Sequence, residues 1–243
     1  IEGFGIPIDD RVRTALGDRF SGIYDDYSPT GISDLAITLE RQKLGDPLDL
    51  KVIVKPTRAS LSHKFFPYRI DEVQGEIIFD ISGKKLLLRD LIGQHGISPI
   101  NLSAGYVDLV TGDMELPIES QRLVPDEDLL AALPDDVEAR LRSLDILNGG
   151  GALETVVELY RKDQPKIAVY VRSRVIEPLQ LKYSALPYPL IFHGGQVVYS
   201  STEERVRLDD LYTDPTASPI IRVSGEIGPD DSAIPLGFNS TLM

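Results

Sequence analysis

The chain has 243 residues, 42% of them hydrophobic and 26% charged, which suits one large folded core or two ordinary ones and argues against a disordered polymer. A formal charge of −13 gives a surface that repels phosphate backbones, so nucleic acid is a poor partner. With no cysteine there is no disulfide, thiol nucleophile or cysteine-ligated metal, and no apolar run approaches the roughly 18 residues that cross a bilayer.

Read in chain order, the opening "IEGFGIPIDDRVRTALGD" leads into a helical pattern interrupted at Gly17. Six short strands are predicted next: "LAITLER", "LDLKVIVK", "GEIIFDI", "KKLLLRDL", "PINLSAGY" and "GDMELPIE". Each is rich in branched residues and bounded by Gly, Pro, Asp or Ser. A second helical pattern follows, with Leu129, Leu130, Leu133, Val137, Leu141 and Leu144 at helical spacing. Pro134 breaks it, so a pair of short helices is expected, with Asp126 or Glu127 at the first turn. The strand series then repeats as "LETVVELYR", "KIAVYVRSRV", "GGQVVYSS", "ERVRLDDL", "PIIRVSGEI" and "AIPLGF". Strands outnumber helices, and the helices sit at the start of each series. The expected class is therefore α+β, mostly β, with antiparallel sheet.

The two series are related at a fixed distance. Aligned without gaps, 65–105 and 185–225 share ten identities in 41 positions: Pro67, Tyr68, Gly75, Leu88, Asp90, Leu91, Ser98, Pro99, Ile100 and Gly105 each recur 120 residues later. That is about 24%, where chance composition gives roughly 6%. "SDLAITLER" recurs as "LETVVELYR" at the same offset, each after a glycine, Gly31 or Gly151. Upstream the offset becomes 117, where the opening residues match "IESQRLVPDEDLLAALPD". The expectation is two tandem units of about 120 residues, 1–122 and 123–243. "AIPLGFNSTLM" at the C-terminus reads as the start of a further unit, in a segment of a longer array.

The pattern "G.I.FD.....L.L.DL.G.HG...I.L..G" resembles the AsmA-like superfamily of bacterial envelope proteins, the repeating β-groove or bridge-like proteins. It is carried by Gly75, Ile77, Phe79, Asp80, Leu86, Leu88, Asp90, Leu91, Gly93, His95, Gly96, Ile100, Leu102 and Gly105. The second unit departs from it, with Thr213, Pro215 and Thr216 where the first has Gly93, His95 and Gly96. The resemblance implies curved sheets that line a long apolar groove on the periplasmic side of the cell envelope. It also implies a tether to the inner membrane through a part of the protein not in this sequence, and a role in lipid transport or outer-membrane assembly. Phospholipid acyl chains and envelope proteins are the implied partners.

Strand alternation picks the candidate groove residues. On "GEIIFD" it puts Ile77 and Phe79 on one face and Glu76, Ile78 and Asp80 on the other; on "GQVVYS" it puts Val197 and Tyr199 together. The alternative is a structural or adhesive module with filled cores that binds protein or glycan.

Catalytic chemistry has little to stand on. His63, His95 and His193 do not recur between units and show no metal-ligand spacing. The acidic pairs, such as Asp9–Asp10 and Asp209–Asp210, lack a calcium-loop pattern and suit helix starts and turns. "NGGGA" at 148–152 lacks the lysine of a phosphate loop and reads as a helix C-cap. No serine lies in a nucleophile elbow. A non-enzymatic protein without a cofactor is expected.

Overall fold

The structure, a computed structural model, describes residues 1–41, 49–64, 66–182, 188–216, 220–227 and 237–241. Its elements are β1 (Glu2–Ile8), α1 (Asp10–Tyr27), β2 (Thr30–Glu40), β3 (Asp49–His63), β4 (Phe66–Asp80), β5 (Lys85–His95), β6 (Ser98–Asp108) and β7 (Met114–Leu123). There follow α2 (Glu127–Ala132), α3 (Asp135–Ser143), β8 (Ala152–Arg161), β9 (Ala168–Glu177), β10 (Leu179–Leu181), β11 (Leu190–Phe192), β12 (Gly194–Ser200), β13 (Arg205–Tyr212), β14 (Ile220–Ile227) and β15 (Gly237–Thr241). The chain is α+β and mostly β. Hydrogen-bonded order follows the chain, with only β10 and β11 set apart as a two-stranded ribbon among the described residues. The registered pairs, including β2–β3, β4–β5 and β9–β12, are antiparallel. Contacts divide the chain into two compact units, Ile1–Ile118 with Leu159–Ile167, and Glu119–Glu158 with Ala168–Met243.

Asp9 starts α1 by accepting from the Arg11 N–H at 2.9 Å. Asp126, 117 residues later, starts α2 by accepting from the Leu129 N–H at 2.8 Å. Each carboxylate satisfies a donor that has no partner within the helix. The expected helix pair forms in the second unit, where Pro134 separates α2 from α3. The first unit instead has one helix of 18 residues running through Gly17. A glycine weakens a helix but keeps its N–H, whereas proline removes the donor and clashes with the preceding turn.

Left-handed backbone recurs at the sequence offset. Gly31 and Gly151, Gly75 and Gly195, Lys84 and Glu204, and Asp90 and Asp210 all have positive φ, each pair 120 residues apart. The ladder slips at matching places: between Gln74↔Ile92 and Glu76↔Arg89 in β4–β5, and between Gly194↔Tyr212 and Gln196↔Asp209 in β12–β13. These are β-bulges, and a glycine opens each. A Cβ on Gly75 would lie 2.5 Å from the carbonyl oxygen of Asp90, and one on Gly195 would lie 2.3 Å from that of Asp210. Only glycine fits either place.

Other sequence matches diverge. Tyr68 is 4% exposed and stacks on His95, with ring centroids 4.0 Å apart, whereas Tyr188 is 60% exposed and outside any strand. The glycines of "NGGGA" do not cap α3, which ends at Ser143 with the left-handed Asp145 just beyond it. Gly149 and Gly151 admit neighbouring backbone instead: a Cβ on Gly149 would strike the Gln180 carbonyl at 1.9 Å, and one on Gly151 the Pro178 carbonyl at 2.6 Å. Pro187, Ser218, Pro219, 233–236 and 242–243, on which part of the repeat alignment rests, lie outside the described residues.

The second unit has a defined core of Leu130, Ile146, Val175, Leu179, Leu190, Phe192, Leu211 and Val223. Leu130 of α2 is fully buried in it, and Leu133 and Leu141 pack at its margin. The helices thus close over one part of the sheet.

Candidate functional site

Register turns the candidate residues into rows. Opposed residues in an antiparallel ladder share a face, and residues two apart along a strand share it too. Across β2 to β6 one row reads Ile37, Val52, Phe79, Leu86 and Val107. The next row on that face reads Leu35, Val54, Ile77, Leu88 and Gly105. Five strands therefore present ten consecutive positions without a polar side chain. Leu86 is buried, and the other side chains of these rows are half-buried.

The opposite face differs in kind. Its central row, Ala36, Ile53, Ile78, Leu87 and Tyr106, lies between charged rows. One of these holds Lys51, Asp80, Lys85 and Asp108. The other holds Glu76 and Arg89, with Lys55 paired to Glu76 at 2.7 Å. Ile78 is 6% exposed, less than Ile77 or Phe79 on the apolar face. Long charged side chains lay their methylene stems over apolar neighbours and keep their ends in water, which is how a charged face can bury an isoleucine.

The second unit repeats the arrangement. Val171, Tyr199 and Val206 form one row, and Ser173, Val197, Leu208 and Gly225 the next. Val198, 6% exposed, lies on the other face between Arg172 and Arg207. Val197 and Leu208 touch the margin of the helix-covered core. Tyr199 and its row lie one step farther along the sheet. Ile77 with Phe79, and Val197 with Tyr199, thus hold matching places within their own units.

One polar cluster escaped the sequence reading. The Thr155 and Ser173 hydroxyls are 3.0 Å apart, which puts both on the apolar face. The corresponding pair in the first unit is Leu35 and Val54. At the 120-residue offset Ser173 falls on Ile53, a residue of the opposite face, because the second unit is one residue shorter between Thr155 and Ser173 than the first is between Leu35 and Val54. Only the register reveals the exchange. Nearby on that side, Arg122 of β7 grips Glu177 of β9 in a two-pronged ion pair at 2.6 and 2.9 Å.

Two of the three histidines have defined neighbours. The His63 ring meets Tyr27 edge-on, with centroids 4.8 Å apart, at the junction of α1 and β3. Burial lowers its pKa, with Lys64 adding to the effect and Asp26 opposing it. His95 Nδ1 lies 2.6 Å from the Arg69 carbonyl oxygen. Among the described residues no three His, Asp or Glu side chains are grouped to hold a metal, and no helix is long and apolar enough to cross a membrane. No protein family, curated protein or solved structure matches the chain.

Proposed function

We propose that this chain is a segment of a non-enzymatic cell-envelope repeat protein whose sheets carry lipid acyl chains, as part of a lipid-conducting groove or an outer-membrane assembly scaffold. The observation that carries the reading is the half-exposed apolar face of β2 to β6, ten positions with no polar side chain. An acyl chain has no hydrogen-bonding groups of its own and needs a path of this kind, and burying it gains roughly 0.8 kcal/mol per methylene. The matched bulges, N-caps and left-handed residues support reading the two units as copies of one module, and stacked copies would lengthen such a path. The AsmA-like resemblance points the same way. It also suggests a periplasmic setting, with the membrane tether elsewhere in the protein. The strongly negative surface favours an apolar ligand over a phosphate polymer.

The second reading, a structural or adhesive module with filled cores, draws on the cluster beneath α2 and α3, which reaches Val197. The two readings separate on one experiment. Phe79 and Tyr199 are replaced by lysine, singly and together, and the protein is exposed to a photo-crosslinkable phospholipid while circular dichroism monitors its fold. The groove reading expects the unmodified chain to capture lipid, and the folded variants to lose most of the capture. Capture unchanged in folded variants, or absent from the unmodified chain, leaves the filled-core module.

A further inference from the structure

We propose that the hydroxyl row of the second unit, Thr155 with Ser173, is a site for the carbonyl group of an acyl lipid, whose tail runs on along Val171, Tyr199 and Val206. The inference rests on the lipid reading above and adds a position and a chemistry to it. In the first unit the row that contains Ile77 is apolar throughout. In the second unit it keeps Val197, Leu208 and Gly225 but replaces a leucine and a valine by Thr155 and Ser173. Exchanging aliphatic side chains for hydroxyls on an apolar face costs free energy unless every hydroxyl finds a partner.

Within the chain the pair leaves one donor over. In the Thr155–Ser173 contact one hydroxyl donates and the other accepts, so one proton still needs an acceptor. A third hydroxyl, Ser120 on β7, is 4% exposed and has no hydrogen-bond partner in the structure. Burial alternates along β7, with Glu119 and Gln121 exposed and Ser120 buried. Arg122, two residues on, reaches Glu177 of β9 on the side that carries Ser173. β7, β8 and β9 are neighbours in the sheet, so Ser120 lies on the strand next to that of Thr155. Ser173 is half-exposed and gives access from the open part of the face.

The missing group is an acceptor, uncharged or nearly so, joined to something apolar. An acyl carbonyl has two lone pairs and no donor, and its hydrocarbon matches the adjoining row. An alkane would leave the protons unmatched. A phosphate would meet a chain of net charge −13 on an apolar surface. The carbonyl can come from an ester or from a free fatty acid.

The test uses three probes on the whole chain: hexadecane, methyl palmitate and palmitic acid, the last two with a ¹³C carbonyl. Binding is measured by competition against a fluorescent lipid, and hydrogen bonding by the isotope-edited infrared carbonyl band. Methyl palmitate should bind about fivefold or more tighter than hexadecane, the scale of one hydrogen bond, with a carbonyl band shifted down in frequency. In the paired Thr155→Val, Ser173→Ala variant the shift and the preference should vanish while hexadecane binding stays. The Thr155→Ser, Ser173→Thr variant, which keeps both hydroxyls, should restore them, and circular dichroism checks each fold. Palmitic acid tells a free acid from an ester as the preferred source. If hexadecane and methyl palmitate bind the native chain alike, or the preference survives loss of both hydroxyls, the carbonyl site is overturned and the groove stands. If no probe binds, the groove falls and the site with it.

Discussion

Gly75 and Gly195 hold φ of +121° and +99°, each with a carbonyl oxygen where a Cβ would go. Alanine at either place meets both backbone strain and a clash, so each substitution should cost about 1–3 kcal/mol in urea unfolding. Gly5 has positive φ too, but nothing lies within 4 Å of its missing Cβ. Gly5→Ala should therefore cost less, about 1 kcal/mol from strain alone. Equal costs at all three positions would show that the close approach of Asp90 and Asp210 has no energetic weight.

His63 gives a residue-scale test in pH. Burial lowers its pKa in the folded state, so the unfolded chain takes up the proton first, near the ordinary value of about 6.5. The stabilisation from a neutral His63 is present above that pH and is lost as pH falls through the lowered folded value. Between pH 7 and 5 the melting temperature should fall more steeply in the native chain than in His63→Gln. The other histidines and the carboxylates are common to both proteins and cancel in the comparison.

At the scale of elements, α2 is the informative one. It has six residues, too few to be stable alone, so its cap and its buried side chain must hold it. Asp126→Ala should cost about 1 kcal/mol by removing the acceptor for the Leu129 N–H. Leu130→Ala should cost about 2–5 kcal/mol, because the cavity opens at a fully buried position in the core of the second unit. Both are read from urea midpoints. A Leu130→Ala cost below that of the cap would mean that α2 does not seal the core.

The element scale also shows how the sequence misleads. Pro134 predicted the helix break because a missing N–H acts locally, whatever surrounds it. Gly17 predicted a break that does not occur, since a glycine's cost is small enough for tertiary context to override. "NGGGA" was legible as a place that needs glycine. Its reason, the approach of the Gln180 and Pro178 carbonyls, comes from the segment around β10, some thirty residues away.

At the scale of the whole molecule, charge and face make different demands on a ligand. The chain carries a net −13, yet the candidate rows are apolar. If lipid is held by those rows, capture should be nearly unchanged between about 50 and 500 mM salt, because screening acts on exposed charges and leaves apolar burial largely alone. It should also not favour anionic over zwitterionic phospholipid vesicles. A steep loss of capture with salt would assign the binding to the exposed arginines of the opposite face, among them Arg172 and Arg207.

The class of the fold, the places of the bulge glycines and the apolar phase of "GEIIFD" and "GQVVYS" were determined by the sequence alone. Each depends on interactions within a few residues: alternation along a strand, a side chain that a turn cannot accept, a cap that a helix start requires. Which residue opposes which was decided only by the tertiary structure. Val54 and Ser173 face Ile77 and Val197 because the ladders of β3 and β9 run one residue out of step, and a shift of one residue moves a side chain to the other face of a sheet. The contact of Thr155 with Ser173 follows from the same cause. Pairing between strands distant in sequence is set by the cooperative packing of the whole sheet, and no local pattern encodes it.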